Sequence, residues 1–365
     1  KKLDTTSSGI DVTGTINGAG ILSNATNFGE GLLISQDAGT GTLSSANRNT
    51  GVGYEVFDDL TSGDDNTGFG QQALAKLTTG GTNTALGSNA LETNTTGASN
   101  TALGFGSLDA NTTASNNTAV GTNSMGANTT GTSNVGVGRH ALLLNTTGDS
   151  NVAVGLNSLA ANTTADNNTA VGFSALTANT TGTGLVAVGM NALSANTTAD
   201  DNTALGKGTL GVNTTGASNT GLGRGALGSN TTGSNNAAVG KFALTSNTTG
   251  ANNVAVGQSA QTATTTGNDN VGIGRQALDA NTTGGANVAV GSDALGANTT
   301  ASNNTALGYQ ALIANTTGAQ NTAVGASAGV ALTTGGSNVA VGFEALKNED
   351  AHGLNTAIGT QALFS

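Results

Sequence analysis

Short runs of alternating polar and apolar residues return at a fixed spacing along most of the chain. From Leu43 onward, Asn-Thr-Ala-Val-Gly or a close variant is followed by Ala-Leu and then by Asn-Thr-Thr-Gly, and the whole pattern recurs every 17 residues. The register runs from 43 to 365 without insertion or deletion, which gives nineteen copies. A constant period of this length is typical of repeat architectures, in which each copy forms one structural unit.

The repeat has a consensus of N-T-T-G-x-x-N-T-A-V-G-x-x-A-L-x-x, and we number its positions 1 to 17. Position 11 is Gly in all nineteen copies, from Gly53 to Gly359, and position 9 is only ever Ala or Gly. Positions 8 and 10 are Thr or apolar residues, as in Val152 and Val154, and position 15 is Leu in most copies. A position that never carries a side chain indicates a positive φ or a close backbone approach.

This pattern predicts short strands and not helices. Residues at positions 8 and 10 of a strand share one face, and position 9 faces the opposite way. We expect the Gly at position 11 to turn the chain, and a second short strand to end at the Leu of position 15. Gly, Asn and Thr recur in every copy and are poor helix formers.

The sequence therefore predicts an all-β protein, a parallel β-solenoid with one 17-residue coil per copy. Coils about 4.8 Å apart would give a rod on the order of 90 Å. We assign 43–365 to a nineteen-coil shaft and 1–42, which falls outside the register, to an N-terminal cap or attachment segment.

The small number of apolar residues per copy favours several chains. If positions 8, 10 and 15 supply the core, burying three side chains stabilises a coil by less than the cost of ordering its 17 residues. The column of Ala and Gly at position 9 is then expected to lie where a neighbouring chain approaches. The alternative is that this column faces the interior of its own coil.

The motifs N-T-A-V-G, A-L and N-T-T-G resemble repeats of bacteriophage tail fibres and of large bacterial surface proteins. They are also similar to the S-V-A-I-G repeats in the heads of trimeric autotransporter adhesins, which form a trimeric left-handed parallel β-roll. The stretch that contains Lys2-Leu3-Asp4 looks like the lead-in segment of such repeats. The resemblance implies a homotrimer and an extracellular location, on a virion tail fibre or a bacterial cell surface.

Composition and charge narrow the function classes. Only 8% of residues are charged, the net charge is −11, and no basic cluster stands out, so nucleic-acid binding is not expected. The chain has no Cys, and no apolar run approaches the ~18 residues of a membrane span.

The candidate chemistry is sparse. His140 and His352 are the only histidines, and we expect both to be solvated loop residues. Asp58, Asp59, Asp64 and Asp65 form an acidic cluster, but the Asp-rich nonapeptide of calcium-binding rolls is absent. We predict no catalytic residues, no cofactor and no metal site, and hence a protein that is not an enzyme.

Two function classes remain. The first is a structural shaft of a phage tail fibre, adhesin or extracellular filament, which acts as a rigid spacer. Its partners would be copies of itself, with host-cell glycans or proteins bound by regions outside the shaft. The second is a surface-binding, ice-binding-like solenoid that presents a Thr/Asn array. Adjacent Thr residues at positions 2 and 3 should point to opposite sides, which favours the shaft.

Overall fold

The computed structural model describes residues 43–364 and, before them, strands at 4–6, 9–11, 15–16, 19–25 and 28–35. Lys2, Leu3 and Ser365 lie outside the described residues. The chain divides into two compact units, Lys1–Ser174 and Ala175–Ser365. In the described residues, strands and turns are the only secondary structure.

Fourteen strands belong to the first unit. They are β1 (Asp4–Thr6), β2 (Gly9–Asp11), β3 (Thr15–Ile16), β4 (Ala19–Ala25), β5 (Phe28–Ser35), β6 (Ala46–Asn47), β7 (Thr50–Val52), β8 (Thr67–Phe69), β9 (Thr84–Leu86), β10 (Thr101–Leu103), β11 (Thr118–Val120), β12 (Val135–Val137), β13 (Val152–Val154) and β14 (Thr169–Val171).

Eleven strands belong to the second unit. They are β15 (Val186–Val188), β16 (Thr203–Leu205), β17 (Thr220–Leu222), β18 (Ala237–Val239), β19 (Val254–Val256), β20 (Val271–Ile273), β21 (Val288–Val290), β22 (Thr305–Leu307), β23 (Thr322–Val324), β24 (Val339–Val341) and β25 (Thr356–Ile358).

Within each unit the repeat strands stack in parallel with a register of 17 residues. Ala102 of β10 lies opposite Ala119 of β11, and Ala204 of β16 lies opposite Gly221 of β17. Each copy supplies one three-residue strand at positions 8 to 10. Each unit is therefore a parallel β-solenoid with one 17-residue coil per copy, which confirms the predicted fold class.

The glycines of position 11 form a column, as expected. Gly104 has φ = +133°, and a Cβ placed on it would lie 2.7 Å from the carbonyl carbon of Gly121. Gly121 is related to Gly138 in the same way. Both the backbone conformation and the neighbouring coil exclude any side chain here.

The strands orient their side chains opposite to the expected packing. Ala153 of β13 is fully buried inside its own coil, whereas Val152 and Val154 on either side of it are only partly buried on the outer surface. The same pattern holds in every repeat strand. The prediction that positions 8 and 10 share a face is confirmed, but their assignment to the core is wrong. The expectation that position 9 contacts another chain is also wrong, because these residues line the coil interior.

The second strand predicted in each copy is absent from the described coils. Positions 12 to 17 form consecutive turns, and the residues at positions 13 and 15 have positive φ, as in Asn191 (φ 56°) and Leu193 (φ 49°). The left-handed conformation costs a Leu roughly 1–2 kcal/mol. Since Leu193 is fully buried, burial of its side chain offsets that cost.

Two columns of Asn side chains hold successive coils together from the inside. At position 7, the amide nitrogen of Asn219 donates to the Gly233 carbonyl (2.8 Å), and its Oδ1 accepts the backbone N–H of Asn236 (3.0 Å). At position 1, Asn111 Nδ2 donates to Asn94 Oδ1 (2.9 Å) and to the Ala114 carbonyl (3.1 Å). These amide ladders satisfy backbone groups that the strands do not reach.

The size of position 9 depends on the coil before it. A Cβ placed on Gly221 would lie 2.5 Å from Thr209 Cγ2, and one placed on Gly272 would lie 2.9 Å from Gln261 Cγ. Gly68 meets Val56 and Phe57, and Gly136 meets Ser124 and Met125, in both cases from the coil before, whereas Gly51 meets Phe57 of its own coil and Leu33 of β5. At these places a bulky interior side chain is therefore matched by Gly at the adjacent position 9.

The N-terminal strands join the first coils. β4 and β5 pair antiparallel, and β5 pairs in parallel with β7, with Leu33 opposite Gly51. Leu33 is fully buried. The assignment of 1–42 to a cap or attachment segment stays a prediction.

Candidate interaction surfaces

The outer surface of the strands carries one apolar column and one mixed column of Thr, Val and Ala. We call the outward side chains at positions 8 and 10 of each repeat strand the outer strand face. Position 10 is Val, Leu, Ile or Phe in all nineteen copies, and neither position ever carries a charge. In β16 and β17, Leu205 and Leu222 are 44% and 41% exposed. Position 8 is Thr in eleven copies and Val or Ala in the other eight, so position 10 alone forms an uninterrupted apolar column. Exposed apolar surface of this kind is typical of an interaction site.

Cationic side chains line one edge of this face. Position 12 follows the Gly corner and carries Arg139, Lys207, Arg224, Lys241 and Arg275, all exposed. Among the described residues, no carboxylate lies within 4.0 Å of the Lys207, Arg224 or Lys241 cations, whereas Arg275 Nη2 is 3.1 Å from Asp293 Oδ2. Other copies place Met190, Tyr309 or Phe343 at position 12, also exposed.

The aromatic ring of Phe242 makes cation–π contacts with two of these cations. Arg224 and Lys241 both lie over the Phe242 ring, at 5.5 Å and 5.1 Å from its centroid. Gly225 leaves room for that ring, since a Cβ on it would lie 2.8 Å from Phe242 Cδ1. Three cations on successive coils thus stand close to one another on an acidic protein.

Carboxylates line the opposite edge, at positions 5 and 6. In the second unit these are Asp200, Asp201 and Asp269, all exposed. Asp200 Oδ1 accepts the backbone N–H of Thr183 (2.7 Å), so it also links two coils. The outer strand face therefore lies between a basic edge and an acidic edge.

The Thr pair at positions 2 and 3 does not form two exposed ranks. The hydroxyl at position 2 donates to the position 2 carbonyl of the next coil, as from Thr95 to Thr112 (3.0 Å), and is partly buried. Position 3, for example Thr96, is exposed. The two side chains point to different sides, as the sequence suggested.

Three carboxylates of the acidic cluster at 58–65 form ion pairs or hydrogen bonds with neighbouring coils. Asp65 Oδ1 lies 2.6 Å from Arg48 Nε, Asp59 Oδ2 lies 3.3 Å from Lys76 Nζ, and Asp64 Oδ1 accepts the Asn47 N–H (2.7 Å). Hydrogen bonding to Arg48 lowers the pKa of Asp65. These carboxylates stabilise the first coils.

The two histidines differ. His140 occupies position 13 with φ = 59° and is partly exposed. His352 is exposed, and its Nδ1 lies 2.8 Å from Glu349 Oε1. The ligand atoms of Glu349, Asp350 and His352 lie within 4.8 Å of one another. The backbone N–H of His352 and its ring lower the pKa of Glu349.

His352 is an exposed residue, as expected, but two carboxylates lie beside it. The signal was available in the run Glu349-Asp350-Ala351-His352. Asp350 and His352 are exposed, and the contacts among the three residues account for their arrangement.

The described residues include no helix that is long and apolar enough to cross a membrane. No family model matches the chain, and none of the curated proteins matches it.

Proposed function

We propose that this protein is a structural shaft of an extracellular fibre, on a virion tail or a bacterial cell surface, and that it acts as a rigid spacer without catalysis. The observation that carries this proposal is the interior of the coils. It is filled by Leu, Ala and hydrogen-bonded Asn, repeated with the same register through each unit. Such an interior gives each unit the stiffness that a spacer needs.

The proposal includes a homotrimer, as the resemblance to trimeric fibres implies. Position 9 does not form the contact between chains, because each coil buries that residue in its own interior. The outer strand face supplies the apolar surface that a multi-chain shaft needs. Host-cell glycans or proteins would be bound by regions outside 43–365.

The ice-binding alternative requires two ranks of outward Thr hydroxyls. The position 2 hydroxyls donate to backbone carbonyls, so position 3 supplies the only exposed rank of the Thr pair. We therefore prefer the shaft.

Immunogold electron microscopy of the producing cells and their phages tests this function. Antibody against the folded chain should label tail fibres or cell-surface filaments. Label confined to the cytosol would overturn the proposal, as would purified protein that hydrolyses polysaccharide or shapes ice crystals.

A further inference from the structure

We infer that the outer strand face of the second unit is a self-association interface, against which further copies of this chain pack in parallel and in register. The inference deepens the proposed shaft and rests on it for its multi-chain character. It names the surface, the partner and the relative direction of the chains.

The first argument is the area and chemistry of the face. Eleven strands contribute two outward side chains each, from Val186 and Val188 of β15 to Thr356 and Ile358 of β25. Together these side chains expose on the order of 1,000 Å², which exceeds the about 800 Å² per partner of a standard stable interface. No charged side chain interrupts the two columns. Position 10 is aliphatic in all eleven strands, and position 8 is Val or Ala in six of them and Thr in five. A monomer would leave this aliphatic column in water.

The second argument is shape. The stacked strands place equivalent residues opposite one another at every step, as with Leu205 opposite Leu222. The outer strand face therefore has the same axial period in every copy of the chain. The side chains of two such faces can interdigitate along their whole length. An unrelated partner would need a surface with the same axial period to do so.

The third argument is charge, and it fixes the direction. When copies are related by rotation about an axis parallel to the stacking direction, the basic edge of one chain meets the acidic edge of its neighbour. In register, Lys207 then meets the neighbour's equivalents of Asp200 and Asp201, because all three residues belong to the same repeat copy. Lys207 has no carboxylate within 4.0 Å in its own chain among the described residues. An antiparallel arrangement would place cations against cations, which is unfavourable.

The test begins with the assembly state of the full chain by analytical ultracentrifugation at micromolar concentration. We expect an oligomer with the wild-type protein. Leu205→Glu combined with Leu222→Glu should dissociate it to 35.0 kDa monomers. Both side chains point outward, so the circular dichroism spectrum should stay that of the wild type.

Val212→Glu is the matched control. Val212 lies at position 17 of the same copy as Leu205 and is 46% exposed, but it lies away from the outer strand face. The control should remain oligomeric. If Val212→Glu dissociates the oligomer and the double Leu variant does not, the interface is elsewhere and the inference is overturned.

A charge swap tests the parallel register. Lys207→Glu should weaken association by about tenfold, because it places a carboxylate against Asp200 and Asp201 of the neighbour. Adding Asp201→Lys to the same chain should restore association in a parallel assembly. In an antiparallel assembly those two edges do not meet, so an unrestored double variant would refute the direction.

A stable wild-type monomer would end the inference altogether. That result would be distinguishable from failure of the proposed function, because the immunogold experiment reports location irrespective of stoichiometry. A monomer on a tail fibre would leave the shaft standing without this interface.

Discussion

At the scale of single residues, positions 6, 13 and 15 of each coil adopt positive φ, and in most coils all three carry a side chain. Positions 6 and 13 are rich in Asn, Ser, Asp and Gln, as in Asn235 and Gln276. Asn and Asp tolerate the left-handed region, so these turns were open to prediction from the sequence. The positive φ of the Leu at position 15 could not be predicted from the sequence. Leu disfavours this conformation, and only its burial in the folded coil explains why it is found there.

Replacing the column glycine should be strongly destabilising. Gly206 has φ = +133°, and a Cβ on it would lie 2.8 Å from the Gly223 carbonyl carbon. We expect Gly206→Ala to cost more than about 2 kcal/mol of unfolding free energy, from backbone strain and steric overlap together. Urea denaturation monitored by circular dichroism measures this loss of unfolding free energy.

Gly208 in the same coil is the matched control. It has φ = +65° with nothing within 4 Å of a Cβ, and Asn191 holds the same place one coil earlier. Gly208→Asn should change the unfolding free energy by less than about 0.5 kcal/mol. Equal losses from both variants would contradict the explanation.

A partly buried carboxylate, that of Asp109, should give a pH-dependent effect. Burial raises the pKa of Asp109, and the Glu92 charge raises it further. A raised pKa in the folded state means that the charged form is disfavoured there. That cost is present at pH 7 and disappears as the pH falls through the raised pKa, because the folded chain takes up the proton first.

We therefore expect Asp109→Asn to stabilise the protein at pH 7. The gain should be a few tenths of a kcal/mol, since the carboxyl is partly solvated. At pH 3, where Asp109 is protonated in both states, wild type and variant should have the same denaturation midpoint. A gain that persisted at pH 3 would assign the effect to another cause.

At the scale of the coil, the sequence was sufficient for the period, the parallel stacking and the Gly corner. The side of the strand that faces inward was not predictable from hydrophobicity. Val and Thr at positions 8 and 10 look like core residues, yet Ala at position 9 is inside. The coil is too narrow for two rows of larger side chains from the same strand. Leu at position 15 and the Asn amides already occupy that space.

The pairing of small and large residues between coils predicts a rescue. Gly221→Ala alone should cost about 1–3 kcal/mol, because the new methyl overlaps Thr209 Cγ2. Adding Thr209→Ala recreates the Ala found at both positions in most copies and should recover much of that loss. A double-mutant cycle in urea should give a coupling energy above about 1 kcal/mol. Purely additive effects would show that the two residues do not contact.

At the scale of the whole molecule, stability should be a sum over neighbouring coils. Asn219→Ala removes an amide that bonds the Gly233 carbonyl and the Asn236 N–H. Asn304→Ala removes the equivalent bonds to the Gly318 carbonyl and the Asn321 N–H. Each variant leaves buried groups unpaired and should cost about 2–4 kcal/mol.

The separation of the two sites decides whether the losses add. Asn219 and Asn304 stand five coils apart, about 24 Å at the usual strand spacing. Their combined loss should equal the sum within about 0.5 kcal/mol. Asn219→Ala with Asn236→Ala should lose less than the sum, because these two share a ladder bond. Strong coupling between the distant pair would mean that the coils respond as one block.

The Asn ladder at position 1 has a consequence for where the protein can be made. Asn-Thr-Thr is an acceptor sequence for N-linked glycosylation, and it occurs thirteen times in the repeat region. In the folded chain all thirteen Asn side chains are fully buried, and the amide nitrogen that would carry a sugar is a ladder donor, as in Asn111 and Asn230. A glycan attached to any of them before folding would prevent that coil from closing. These thirteen Asn residues are inaccessible to the modification in the folded solenoid, whereas an unfolded chain entering a eukaryotic secretory pathway would expose them as acceptors. We therefore expect the chain to fold correctly only where it is made without oligosaccharyl transfer.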